Sequence, residues 1–146
     1  MKYILIILFF WSSLAIADID DNAKLVSFFE LPMLQKQIDN HNGQISMRGY
    51  LLNDEGVIFF CSNMESCYSR GKDRVRVIAN YEYRDYLIGV SGCHMELTGI
   101  YQPLSEEQKS WPMMGYFEVA EKPKFDFNPD YHLINVKCKA YKIMRD

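Results

Sequence analysis

The chain reads as a mainly β domain with short helices, its five strands closing into a small Greek-key barrel. Three observations carry that reading. Apolar and polar side chains alternate with period two in several segments bounded by turn residues, the pattern of strands with one buried face. Two of these segments, "NGQISMRGYL" and "SGCHMELTGIY", echo one another, each running from a turn glycine through an alternating strand to an interior glycine, Gly49 and Gly99. An interior glycine weakens a strand unless the strand must bulge, bend or accept a close neighbour, and a small closed barrel demands such coiling. Finally, 14% of the residues are aromatic, which favours a packed β-rich body over a disordered chain.

The N-terminal stretch "MKYILIILFFWSSLAIA" sets one basic residue before an apolar run and ends in the small-x-small pattern Ala15-Ile16-Ala17. Residues 1–17 are therefore expected to be a signal peptide, with 18–146 forming one exported domain, periplasmic or secreted. The run is shorter than the ~20 apolar residues of a membrane span, so no span is expected after cleavage. No cysteine follows it to accept a lipid. The formal net charge of −3 becomes more negative without Lys2, so the chain lacks the overall basic field on which non-specific phosphate binding draws.

The mature elements follow in order. Residues 22–40 are expected to be helical: Leu25, Phe28 and Phe29 fall at i, i+3 and i+4 with Asn22 as N-cap, and a second piece opens at Pro32 and ends before the turn pair Asn42-Gly43. The barrel is expected over 44–143. In its first strand Ile45, Met47 and Leu51 share a face opposite Ser46, Arg48 and Tyr50, and "NDEG" at 53–56 turns it into the second strand, "VIFFC" at 57–61. The third, "RVRVIA" at 74–79, sets Val75 and Val77 opposite Arg74 and Arg76. "YEYRDYLIGV" at 81–90 breaks the alternation and is read as a short helix or ordered connection. The fourth strand, 91–101, places Cys93, Met95 and Leu97 on one face. Residues 102–131 read as a long loop, with a capping-box pattern from Ser105 to Gln108. "LINVKCKAYKI" at 133–143 is expected to be the fifth strand, with Ile134, Val136, Cys138 and Ala140 sharing a face.

Five strands with a connection after the third and a long loop after the fourth match the OB-fold, a five-stranded Greek-key barrel. The segments "VSFFEL", "HNGQISMRGYL", "GVIFF", "RVRV", "SGCHMELTGIY" and "MMGYFEV" resemble a group of small, mostly exported bacterial proteins with an OB-like domain and no established activity. The resemblance covers roughly residues 26–120. Its motifs are glycines and core alternation, so it implies a fold and not a chemistry. The chain departs from the group by inserting "YEYRDYL" and "AEKPKFDFNPDYH" and by its four cysteines.

Those cysteines, Cys61, Cys67, Cys93 and Cys138, read as two disulfides in an oxidising compartment, in any of three pairings. A zinc site is disfavoured: the spacing of Cys61 and Cys67 is not that of a zinc pair, and no histidine completes a set. No metal or other cofactor is expected. In the OB strand order 1-2-3-5-4-1, strands four and five are neighbours. Cys93 and Cys138 would then meet, leaving Cys61 to close onto Cys67.

No catalytic constellation is legible. Asp54 and Glu55 sit in a turn where acids are ordinary, Glu106 and Glu107 suit a helix start, and His41, His94 and His132 are far apart in sequence. The candidate binding face comprises Ile58, Phe60, Arg74, Arg76, Trp111 and Tyr116. Strand two of an OB barrel has one face toward its ligand side, so Ile58 and Phe60, or Val57 and Phe59, form an apolar stripe that marks a partner surface if exposed. Covering by Leu25, Phe28 and Phe29, or by the loop around Trp111, is the commoner arrangement, because contiguous apolar patches are rare on soluble monomers. Alternating arginines on an acidic exported chain read as a solvated face, which disfavours nucleic acid. The expectation is a non-catalytic binding module of the cell envelope whose partner is a protein or small ligand. An inhibitor or immunity-type protein, or an enzyme with a site between residues 102–131 and the barrel, are the alternatives.

Overall fold

The computed structural model describes residues 23–34, 43–126 and 138. Chain order runs β1 (Lys24–Leu25), α1 (Leu31–Leu34), β2 (Gln44–Asp54), β3 (Val57–Cys61), α2 (Met64–Tyr68), β4 (Arg74–Ile78), α3 (Tyr81–Gly89), β5 (His94–Pro103), a 3-10 turn (Glu106–Gln108), β6 (Gly115–Val119) and β7 (Lys124–Phe125). Strands β2, β3, β4, β6 and β5 pair in that order, and β5 returns to β2, closing the barrel. With β4 and β6 parallel and the other neighbours antiparallel, this is the 1-2-3-5-4-1 arrangement of an OB-like barrel.

β2 is long because it serves two neighbours. Its first half pairs with β5 and its last five residues with β3, the two ladders meeting at Tyr50. A Cβ on Gly49, beside that junction, would stand 2.4 Å from the Cys61 carbonyl oxygen. Gly99 is the counterpart on β5, pairing with both Ile45 and Val119, and a Cβ there would stand 2.0 Å from the Glu118 carbonyl oxygen. The interior glycines thus permit close backbone approach where each strand takes on a second partner. The turn from β2 to β3 carries positive φ at Glu55 and Gly56, as a two-residue hairpin of the primed kind requires, and the Asn53 side-chain oxygen accepts from the Gly56 N–H.

The alternating residues bury as expected: Met47, Leu51, Phe60, Val75, Met95, Leu97 and Phe117 are fully enclosed, and Leu87 and Val90 of the α3 end join them. Each such large apolar side chain contributes about 1.5–3 kcal/mol relative to exposure. Asn80 caps α3, its side chain accepting from the Tyr83 N–H, and the segment 81–90 forms this helix over Tyr81–Gly89 with Val90 as its C-cap.

Both disulfides pair as expected, Cys61 with Cys67 and Cys93 with Cys138. They suit an oxidising environment. No described helix is long and apolar enough to cross a membrane.

Several elements differ from the sequence reading. Residues 24 and 25 form β1, parallel to β2, and the Val26 N–H donates to the Ser46 carbonyl. The free edge of the first half of β2 needs partners for its backbone groups, and β1 covers it. Val26, Phe28 and Leu31 are buried while Leu25 and Phe29 are exposed, so the i, i+3, i+4 spacing does not describe one helical face. Within residues 23–34 helix is confined to Leu31–Leu34, with Pro32 in its first turn, and Ser27 donates through both its N–H and its hydroxyl to the Glu30 carboxylate just before it. Asn22 and residues 35–42 lie outside the described residues.

Of residues 133–143, expected as the fifth strand, all but Cys138 lie outside the described residues, and the place between β4 and β5 is taken by β6, within the expected long loop. Its Gly115, Phe117 and Val119 point inward between β4 and β5. Cys138, the one described residue of the expected fifth strand, is helical. Past Val119 the register against β5 slips by two residues, so β7 resumes the same edge beyond a bulge at which Ala120 and Glu121 both donate to the Thr98 carbonyl.

Candidate functional site

On β4 the alternation turns Val75 and Val77 into the core and Arg74, Arg76 and Ile78 outward. β3 and β4 pair only over Phe59↔Arg76, Phe60↔Val75 and Cys61↔Arg74, although β3 begins at Val57 and β4 continues to Ile78. Beyond Phe59↔Arg76 the two strands form no ladder, and a groove of about 390 Å³ opens there. One wall is residues 56–58 and the other residues 76–79; Arg84 from α3 and Tyr116 from β6 complete it. The size lies within the usual range for ligand clefts, about 300–1,000 Å³.

The electrostatics of the groove are one-sided. Arg76 and Arg84 are exposed, and neither guanidinium has an ion pair among the described residues. Arg84 donates through Nη2 to the Gly56 carbonyl at 3.1 Å, which anchors α3 to the β2–β3 turn and sets this charge at the rim. Tyr116 presents a phenol whose oxygen accepts from Gln108 Nε2 at 3.4 Å. No described carboxylate lines the groove. Two cations from separate elements thus line one cleft of a chain whose net charge is negative.

Compared with known protein families and with curated proteins, the chain matches none.

Of the six residues expected on the binding face, Arg76 and Tyr116 share the groove, and Ile58 contributes only an edge, since its side chain is in the core. Phe60 is fully buried, with the Phe28 ring 5.5 Å from its own. Ile58 and Phe60 thus face the core, with Phe28 of the turn after β1 against Phe60, while the alternates Val57 and Phe59 are half-buried and Arg74 lies over the Phe59 ring. Arg74 is buried, 4% exposed, lying over the Phe59 ring and donating to the carbonyls of Pro112 and Cys67. Burial holds its pKa below the usual arginine value, and its contacts make it a clamp between α2, β4 and the loop before β6. Trp111 is 42% exposed and does not line the groove. Arg84 escaped the sequence reading because it reaches the barrel from α3. Its signal was an arginine in the connection that must cross the barrel end.

A second polar cluster lies on the outer face of β2 and β5. Arg48 Nε is 2.9 Å from Glu96 Oε2, and His94 Nδ1 is 2.9 Å from Asp126 Oδ2, which also stands 3.8 Å from Arg48. The hydrogen bond to Glu96 raises the Arg48 pKa. Tyr50 packs edge-on against the His94 ring, and the Ser46 and Thr98 hydroxyls share a buried hydrogen bond. The charges of this cluster meet one another, and the cluster fastens Asp126, just after β7, to the barrel wall.

Proposed function

We propose that the protein is an exported, non-catalytic binding module of OB-like architecture, of the kind its sequence resembles, and that it holds an anionic partner in the β3–β4 groove. The observation that carries this reading is the pairing of Arg76 with Arg84 around a cleft with no described carboxylate in its lining. Guanidinium groups are suited to carboxylate or phosphate, which they bind through paired donors. The face between strands two and three and the loop after strand one is also where OB barrels commonly take ligands. A binding role fits the second cluster too, because its ionisable side chains engage one another.

Titration calorimetry with glutarate as probe tests the reading. The wild-type protein is expected to bind saturably and more weakly as salt rises, and the R76Q/R84Q variant to give no binding heat. Equal behaviour of the two proteins would overturn the assignment of the groove.

A further inference from the structure

The groove differs from an ordinary surface cleft in that its walls are strand edges. Val57 and Ile58 use one edge of β3 to pair with Asp54 and Asn53, and Val77 and Ile78 use one edge of β4 to pair with Phe117 and Glu118. The opposite edges, which would pair with each other if the β3–β4 ladder continued, face the groove instead. Backbone N–H and C=O groups on such an edge form a template for an added extended chain. Side chains at the walls are apolar, through Val57, Ile78 and Ala79, while Arg76 and Arg84 supply the charge.

We infer that the groove receives a short extended segment of a protein partner in which acidic residues alternate with apolar ones. This rests on the anion-binding reading above and names its ligand class. The backbone of the segment hydrogen-bonds to the strand edges, its carboxylates meet Arg76 and Arg84, and its apolar side chains lie against Val57, Ile78 and Ala79. A small anion uses only the arginines. An extended peptide uses every feature of the site, and charge complementarity selects an acidic one.

The test uses the folded, disulfide-bonded protein and a set of acetylated, amidated tetrapeptides alternating Asp or Glu with Val, Ile or Leu, compared with glutarate and with the same peptides N-methylated at alternate amides. The best peptides are expected to bind at least about tenfold more tightly than glutarate, to lose that advantage on N-methylation, and to fail with R76Q/R84Q. Peptides no better than glutarate, or unaffected by N-methylation, would overturn the strand-edge inference while leaving the anion groove standing. Absence of binding by both probes would overturn both.

Discussion

The two disulfides close loops of very different length, and their contributions to stability should differ in a calculable way. Cys93 and Cys138 are 45 residues apart in sequence, Cys61 and Cys67 only 6. If a cross-link acts mainly by restricting the unfolded chain, the loop-closure relation assigns roughly 4 kcal/mol to the longer loop and roughly 2 kcal/mol to the shorter. All four cysteines are buried, so packing losses in the alanine pairs C93A/C138A and C61A/C67A are comparable and largely cancel between them. At about 3–4 °C per kcal/mol for a domain of this size, the melting midpoint should fall by roughly 12–16 °C in the first pair and roughly 6–8 °C in the second. Urea unfolding followed by far-UV circular dichroism gives the free energies directly. Equal losses, or a larger loss for C61A/C67A, would show that the short bridge acts through the native state and not through the unfolded chain.

Three further outcomes follow from particular contacts. Gly99→Ala should destabilise by about 1–3 kcal/mol or more in chemical unfolding, since its Cβ would stand 2.0 Å from the Glu118 carbonyl oxygen; a neutral effect would contradict the close approach of β5 and β6. Asp73 accepts from the Ser62 and Ser66 hydroxyls; burial opposes its charge, but these hydrogen bonds prevail and hold its pKa below the usual value. Its stabilisation is therefore present above the ordinary aspartate pKa of about 3.9 and lost as pH falls through the lower native value. Asp73→Asn should accordingly be less stable than wild type at pH 7, the gap narrowing below about pH 4 in acid-unfolding curves; a constant gap would contradict the argument. R76Q/R84Q should change unfolding free energy by no more than about 1 kcal/mol, about 0.5 kcal/mol for each exposed substitution, even with the Arg84 bond to the Gly56 carbonyl removed, so that a loss of binding is not a folding defect; a large loss in denaturant titration would show that the arginines hold the barrel together.

Four of the five barrel strands were legible in the sequence because turn residues bound an alternating segment in three of them and the short apolar run "VIFFC" in the fourth. β6 was not, for a physical reason: five residues beginning with glycine and following "WPMM" carry too short a period to stand out from a loop. The N-terminal segment misled in the opposite sense. Leu25, Phe28 and Phe29 fit a helical spacing, but β2 had a bare edge, and pairing with it outweighed local propensity. Both disulfides were found, although Cys138 meets Cys93 from a helical residue and not from a strand beside β5. Around the groove, alternation correctly turned Arg76 outward into solvent, and the same logic misjudged Arg74, whose outward face is roofed by α2 and Pro112. Arg84 and the parted ends of β3 and β4 belong to tertiary structure, which spacing along the chain does not encode.

Side-chain NMR of the arginine Nε–H groups tests most directly whether Arg76 and Arg84 together hold an anionic partner. On adding glutarate, the signals of Arg76 and Arg84 should shift together and saturate, while those of Arg74, held by carbonyls, and Arg48, held by Glu96, stay in place. Shifts spread over all four arginines without saturation, or no shift at the groove pair, would contradict such binding.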